Sequence, residues 1–267
     1  MSSVGFESVL RRDRCVLLAA LAGLIGLAWG YMAYEARGMS VVGVCCCAGM
    51  KMSGPDVSPW STAALPPLFL MWAEMMVAMM LPSATPMLLT FALVNRKRRE
   101  LERPFVPTGL FALGYLAAWT GFSALAAVLQ WAFHGFALIS PMMASRSPLF
   151  AGILLIGAGI FQWTPFKDAC LAQCRSPLSF LLNDWREGKV GALIMGLRHG
   201  LYCTGCCWFL MALLFVAGVM NLWWVGLLTV FVLFEKATPR RWRVGSLAGA
   251  ILVAWGLVTL VFGLKPH

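Results

Sequence analysis

Charge is what this 267-residue chain has least of. Asp, Glu, Lys and Arg together make up 12% of it, about half the usual share in a soluble domain. Acidic side chains are the scarcest, 11 against 21 basic ones. So little charge excludes a soluble globular enzyme, which needs a solvated polar surface. No stretch alternates polar and apolar residues in strand-length pieces, which excludes a transmembrane β-barrel. A nucleotide-binding loop, an ATPase aspartyl signature and a C-x-x-C-H haem attachment site are also missing. A net charge of +10 would suit nucleic acid, but the basic residues lie in short stretches between apolar runs. The positive-inside rule accounts for that pattern, and no nucleic-acid partner is expected.

What the chain does have is long apolar runs. It is 60% hydrophobic with a mean hydropathy of +0.79, and a membrane-spanning helix needs ~20 mostly apolar residues. The runs predict spans at about 15–34, 65–94, 105–133, 148–164, 190–218, 220–235 and 242–263. The first is long for a signal-peptide core and reads as an uncleaved span. The expectation is an all-α polytopic transmembrane bundle of about seven spans. With no internal repeat and no soluble domain, residues 1–267 read as one membrane domain.

Seven spans place the termini on opposite sides. With the N-terminus inside, sixteen of the 21 basic residues fall in cytoplasmic segments, including Arg11, Arg12, Arg14, Arg96–Arg99 and Arg240–Arg243. Only Arg37, Lys51, Arg146 and Lys265 fall outside, and Arg198 lies within a span. The bias predicts an inside N-terminus, an outside C-terminus and a multi-pass protein of the bacterial inner (cytoplasmic) membrane.

The fifth run contains His199, Cys203, Cys206 and Cys207. His199, Cys203 and Cys207 recur at i, i+4, i+8 and share one helical face, with Cys206 flanking it. Thiolate and imidazole suit soft or borderline metals; packing is the competing explanation for buried cysteine. The second run places Met71, Met75, Met76, Met79 and Met80 within ten residues, denser than gap-filling requires. Thioethers select Cu(I). Pro82 and Pro86 interrupt this run and free backbone carbonyls next to the methionines.

Glu74 and Arg198 are ionisable residues at membrane depth and need partners there. Each could pair with the other, or Arg198 with Glu235. Between the fourth and fifth runs, Cys170 and Cys174 stand one helical turn apart, flanked by Lys167 and Arg175. Their C-x3-C spacing is not that of a zinc ribbon. Cys45, Cys46 and Cys47 are adjacent and cannot easily pair with one another in good disulfide geometry. Gly196 and Gly200 make a small-x3-small pair, which lets another helix approach closely.

Several of these segments together resemble a bacterial domain-of-unknown-function family described as predicted metal-binding integral membrane proteins. The matching residues are Met71-Trp72, Met75-Met76, Ala78 to Ser83, Pro86, Gln162, Thr164-Pro165, Lys167, Cys170-Leu171, Cys174-Arg175, Pro177, Gly200, Cys203, Gly205 to Trp208 and Glu235-Lys236. Phe161 stands where the resemblance would place Tyr. It implies metal binding and adds little mechanism.

The sequence therefore points to a membrane protein that binds a soft metal, Cu(I) first and zinc second, for transport, delivery or homeostasis rather than turnover of an organic substrate. The expected ligands are His199, Cys203, Cys206 and Cys207, with Cys170 and Cys174 as an inner pair and Met75, Met76, Met79 and Met80 as a further group. Glu74, Gln162, Lys167, Arg198 and Glu235 are expected as supporting polar residues. The expected partners are the lipid bilayer and a metallochaperone or membrane complex. The alternatives are a membrane thiol-redox protein, a metal-dependent oxidase, or an accessory subunit of a membrane complex.

Overall fold

Short polar residues followed by proline punctuate the middle of the chain, and the helices begin where they stand. Ser147 caps the helix opened by Pro148, accepting from the Phe150 amide at 3.3 Å. Thr164 does the same before Pro165, accepting from the Lys167 amide at 3.3 Å. Both combine an N-cap oxygen with a first-turn proline whose missing N–H costs nothing there. In the computed structural model the backbone of residues 3–47, 62–100, 106–135, 147–239 and 242–263 is described, with side chains within 14–37, 62–98, 106–135, 147–239 and 242–263. The elements are α1 (Ser3–Cys47), a 3-10 turn (Thr62–Ala64), α2 (Leu65–Glu100), α3 (Thr108–Gly135), α4 (Pro148–Phe161) and α5 (Pro165–Arg175). They continue with α6 (Pro177–Asp184), α7 (Gly188–Ala212), α8 (Leu214–Ala217), α9 (Leu222–Ala237) and α10 (Val244–Phe262). Among the described residues the fold is all-α, as expected.

Among the described residues, five helical stretches are long and apolar enough to cross a membrane: 14–37, 62–98, 108–135, 188–217 and 244–262. A sixth arises if α4 and α5 count as one broken span, bent by 65°. The span expected at 148–164 thus stops at Phe161 after 14 residues and turns. The one expected at 220–235 is α9, whose 16 residues reach about 24 Å at the α-helical rise, short of the ~30 Å hydrocarbon core. Five or six spans are therefore supported rather than seven. The stretch between the spans expected at 148–164 and 190–218, Pro165 to Lys189, consists largely of α5 and α6.

Two glycine-lined crossings hold the bundle. At the first, α3 lies against α7: a Cβ on Gly114 would strike the Leu193 carbonyl, and one on Gly196 the Phe111 carbonyl. A Cβ on Gly200 would come within 2.7 Å of the Ala118 methyl. The expected close approach at Gly196 and Gly200 is realised, with α3 as the partner. At the second, Gly152 and Gly159 of α4 meet Gly256 and Gly249 of α10. The opposite side of α10 leaves Leu247, Ile251 and Val261 exposed, as lipid contact allows.

Helix α2 runs through Pro82 and Pro86 without ending. Pro82 has no N–H for the carbonyl four residues earlier, and that carbonyl, on Ala78, accepts instead from Trp29 Nε1 of α1 at 3.2 Å. The methionine face of α2 is buried: Met75, Met76, Met79 and Met80 all lie in the core.

Candidate metal centre

The cysteine face of α7 turns inward, away from lipid. His199, Cys203, Cys206 and Cys207 are buried. The thiols of Cys206 and Cys207 fold back along the helix and donate to the Cys203 carbonyl at 3.1 and 3.0 Å. The Cys207 thiol also lies close enough to those of Cys203 and Cys206 to interact with them.

Helix α5 delivers a fourth thiol. Cys174, half-buried, lies close enough to the Cys203 and Cys206 thiols to interact with them. Cys170, one turn earlier, packs over Gly205, where a Cβ would sit 2.9 Å from its sulfur. Only glycine lets α5 approach so closely. The α2 methionines come from the other side, with Met80 Sδ 4.0 Å from Cys207 Sγ. Cys15, Cys170, Cys174, Cys203, Cys206 and Cys207 are all free thiols.

Two residues outside the expected site, Tyr115 and Lys236, the latter named from the sequence only within the family resemblance, bind the cluster to its surroundings. Tyr115 of α3 donates its hydroxyl to the Met80 carbonyl at 3.1 Å and lies 3.1 Å from Cys203 Sγ. Lys236 of α9 donates from Nζ to Cys203 Sγ and to Ser83 Oγ, both at 2.9 Å. Besides that resemblance, the sequence held a second signal for Lys236, an ionisable residue at the end of an apolar run. Tyr115 carried none, since a tyrosine within a span is ordinary packing.

Other expected residues fall elsewhere. The His199 ring is enclosed by Phe180, Tyr115 and Phe111 at centroid distances of 5.3, 5.9 and 6.1 Å. Its Nδ1 is buried with no hydrogen-bond partner. Arg198 pairs with Asp184 at 2.5 Å, so neither of its expected pairs, with Glu74 or with Glu235, forms. Glu74 has one buried carboxylate oxygen without a hydrogen-bond partner and lies close enough to Glu35 of α1 to interact with its charge. Glu235 receives Lys167 Nζ at 2.7 and 2.8 Å, and Lys167 also donates to Gln162 Oε1. Arg175 closes this group by donating to the Glu235 backbone carbonyl at 2.8 and 3.1 Å. The side chains of Cys45, Cys46 and Cys47 lie outside the described residues.

Chemically, the cluster offers thiols from α5 and α7 and a thioether from α2, a donor set that fits a soft ion. Among the described residues no three His, Cys, Asp or Glu side chains already form a ligand cage. The Cys206 and Cys207 thiols are engaged by the Cys203 carbonyl.

Buried soft donors within a bundle of membrane-crossing helices define a multi-pass membrane protein equipped to handle a soft metal. The chain belongs to the PpoB2 family, described as copper chaperone, whose family model matches residues 69–259. No match was found among curated proteins or among solved structures. The matched span contains α5, α7, α9 and the methionines of α2. The resemblance noted from the sequence, to predicted metal-binding membrane proteins, is compatible with this more specific membership.

Proposed function

We propose that the protein holds copper as Cu(I) on Cys174, Cys203, Cys206 and Cys207, with Met80 as a further donor, and passes it on to a protein partner. The observation that carries this reading is the contact between Cys207 and Met80 at the edge of the four-thiol cluster. Sulfur donors of both kinds suit Cu(I) and poorly suit zinc, which takes thiolate and imidazole but hardly any thioether. Met75, Met76 and Met79 continue the thioether face along α2 and form a path toward or away from the thiols. Cys170 is the neighbouring acceptor on α5. His199 acts by filling space behind Cys203 and orienting it, and Lys236 places a positive group against Cys203. The basic residues set the N-terminus inside the bacterial inner membrane and the C-terminus outside, with seven crossings if α9 and the α4–α5 pair each span. The partner is a metallochaperone or a membrane complex that receives copper, and no organic substrate is turned over.

The test is copper analysis of detergent-purified protein. Replacing Cys203, Cys206 and Cys207 together by Ser removes tight Cu(I) binding, because a hydroxyl is a poor ligand for a soft ion. Replacing Met76, Met79 and Met80 by Leu keeps volume nearly constant and costs less than about 1.5 kcal/mol in packing, while Cu(I) retention or delivery falls. Full copper content in both variants would sink the proposal. Zinc bound in the native protein and untouched by the Leu changes would reduce the site to its cysteines.

The contact of Cys174 with Cys203 and Cys206 also favours a second reading, a membrane thiol-redox protein. Quinone-dependent oxidation of these thiols by the purified protein would support it.

A further inference from the structure

Basic side chains inside this bundle are answered by oxygen. Lys167 pairs with Glu235, Arg198 with Asp184 and Arg98 with Glu187. Arg175 is bonded to the backbone carbonyl of Glu235. Lys236 is different: among the described residues it meets neither a carboxylate nor a carbonyl. Its Nζ donates to Cys203 Sγ and to Ser83 Oγ, each at 2.9 Å. Glu235 precedes it on α9, but successive helical residues point about 100° apart, and Glu235 is turned to Lys167.

Ser83 holds this ammonium in place. Its Oγ accepts from Lys236 and donates to the Met80 carbonyl at 2.9 Å. The same carbonyl accepts from Tyr115, whose oxygen lies 3.1 Å from Cys203 Sγ. Lys236, Ser83, Met80, Tyr115 and Cys203 thus close a ring that fixes a cation against a sulfur with no exposed surface. The titratable groups that act on Lys236 most strongly are Cys203, Cys206, Cys174 and Tyr115, with no carboxylate among them. A cation held at membrane depth needs an anion, and what stands within reach is sulfur. A thiol that takes a metal gives up its proton and becomes that anion, while the metal's own charge offsets it.

We propose that Lys236 is the counter-ion of the loaded cluster and makes it prefer a monovalent ion to a divalent one on the same sulfurs. The inference rests on the copper reading above and names a residue that decides it. Two thiolates around Cu(I) carry one net negative charge, which Lys236 cancels. Two thiolates around a divalent ion carry none, and Lys236 is left without an anion. Whatever the number of thiolates, the divalent complex is more positive by one charge, and the ammonium beside it opposes that charge. The neutral Met80 thioether adds a donor without altering the count. Softness of the donors excludes hard ions but admits soft divalent ones such as Hg(II). Charge separates those from Cu(I). Lys236 does this without touching the metal, through its place against Cys203.

The test uses the full-length protein in detergent with Cys15, Cys45, Cys46 and Cys47 replaced by Ser, which leaves the cysteines of α5 and α7. Cu(I) and Hg(II), both of which accept two thiolates, are supplied at less than one ion per chain. Each is then stripped with dithiothreitol, an uncharged competitor. Lys236→Gln keeps an N–H donor for Cys203 and Ser83 and removes the charge, and Lys236→Arg keeps the charge. The preference for Cu(I) over Hg(II), read as the ratio of the two midpoints, should fall at least about tenfold in Lys236→Gln and stay within about threefold of the parent in Lys236→Arg. Lys236→Ala, a second neutral variant, should lower it as Lys236→Gln does. The metal-free protein is common to both midpoints, so a variant that merely loosened the cluster would weaken both ions alike and leave the ratio unmoved. An unmoved ratio in the neutral variants would overturn the proposal, as would a ratio in Lys236→Arg as low as theirs. If Cu(I) is still held in that case, the copper reading stands without this addition. Retention of Hg(II) but not of Cu(I) by the parent would overturn both.

Discussion

At the scale of single residues, the pair Lys167 and Glu235 shows how interior charge is managed. Both are about 1% exposed, and their 2.7 Å contact ties α5 to α9. Removing one partner strands the other, at a cost of about 3–5 kcal/mol. Lys167→Met should therefore lower the melting temperature in detergent sharply, while Lys167→Met with Glu235→Leu should recover most of the loss. A double variant no more stable than the single one would show that the pair is not what joins these helices. Tyr115→Phe makes a finer test. It keeps the ring and removes the hydroxyl between Met80 and Cys203, so stability should fall by about 1 kcal/mol with the fold intact. If Tyr115 holds the Met80 region of α2 and Cys203 in register, Cu(I) retention should fall more than stability does; unchanged retention would confine Tyr115 to packing.

At the scale of elements, the centre exists because α3 lies flush against α7. Gly196→Ala would drive a methyl into the Phe111 carbonyl, and overpacking of this kind costs about 1–3 kcal/mol. Gly121→Ala, also in α3, meets nothing within 4 Å. It should be neutral or stabilise by up to about 1 kcal/mol, since glycine weakens a helix interior. Thermal melts of the two variants should move apart accordingly, and equal shifts would remove the argument for the crossing. Which elements form was partly legible in advance. The spans at 65–94, 105–133, 190–218 and 242–263 each contain most of a helix, because long apolar runs admit little else. The bend after Phe161 was less so. It depends on Thr164 and Pro165 opening a new helix at 65°, and apolarity summed along a window carries no direction.

At the scale of the whole molecule, the number of crossings follows from α9 and the α4–α5 pair. Reporter fusions at Lys97 and Asn183 should read cytoplasm, and fusions at Met52 and Ser145 the outer compartment. A fusion at His267 then decides the parity: an outside C-terminus requires an odd number of crossings when the N-terminus is inside. An inside reading at His267 would leave an even count and exclude seven. The charge bias argues for the outside reading, since basic residues cluster around α5 and before α10.

By itself the sequence determined that this chain is a helical membrane protein with soft donors in its interior. Scarce charge and long apolar runs exclude a solvated fold, and helical periodicity alone puts Cys203, Cys206 and Cys207 on one side of α7. Only the tertiary structure decided which of the donors meet. Periodicity orders residues along one helix but says nothing of what stands opposite. Cys174 arrives with α5 where Gly205 lets that helix close in, Gly196 and Gly200 bring α3 and its Tyr115 against α7, and Met80 and Lys236 come from α2 and α9. The same packing enclosed His199 among Phe111, Tyr115 and Phe180, gave Arg198 to Asp184, and left Glu235 to Lys167. Each outcome turns on which neighbouring helix comes near enough to satisfy a buried polar group, and that is a property of the assembled bundle.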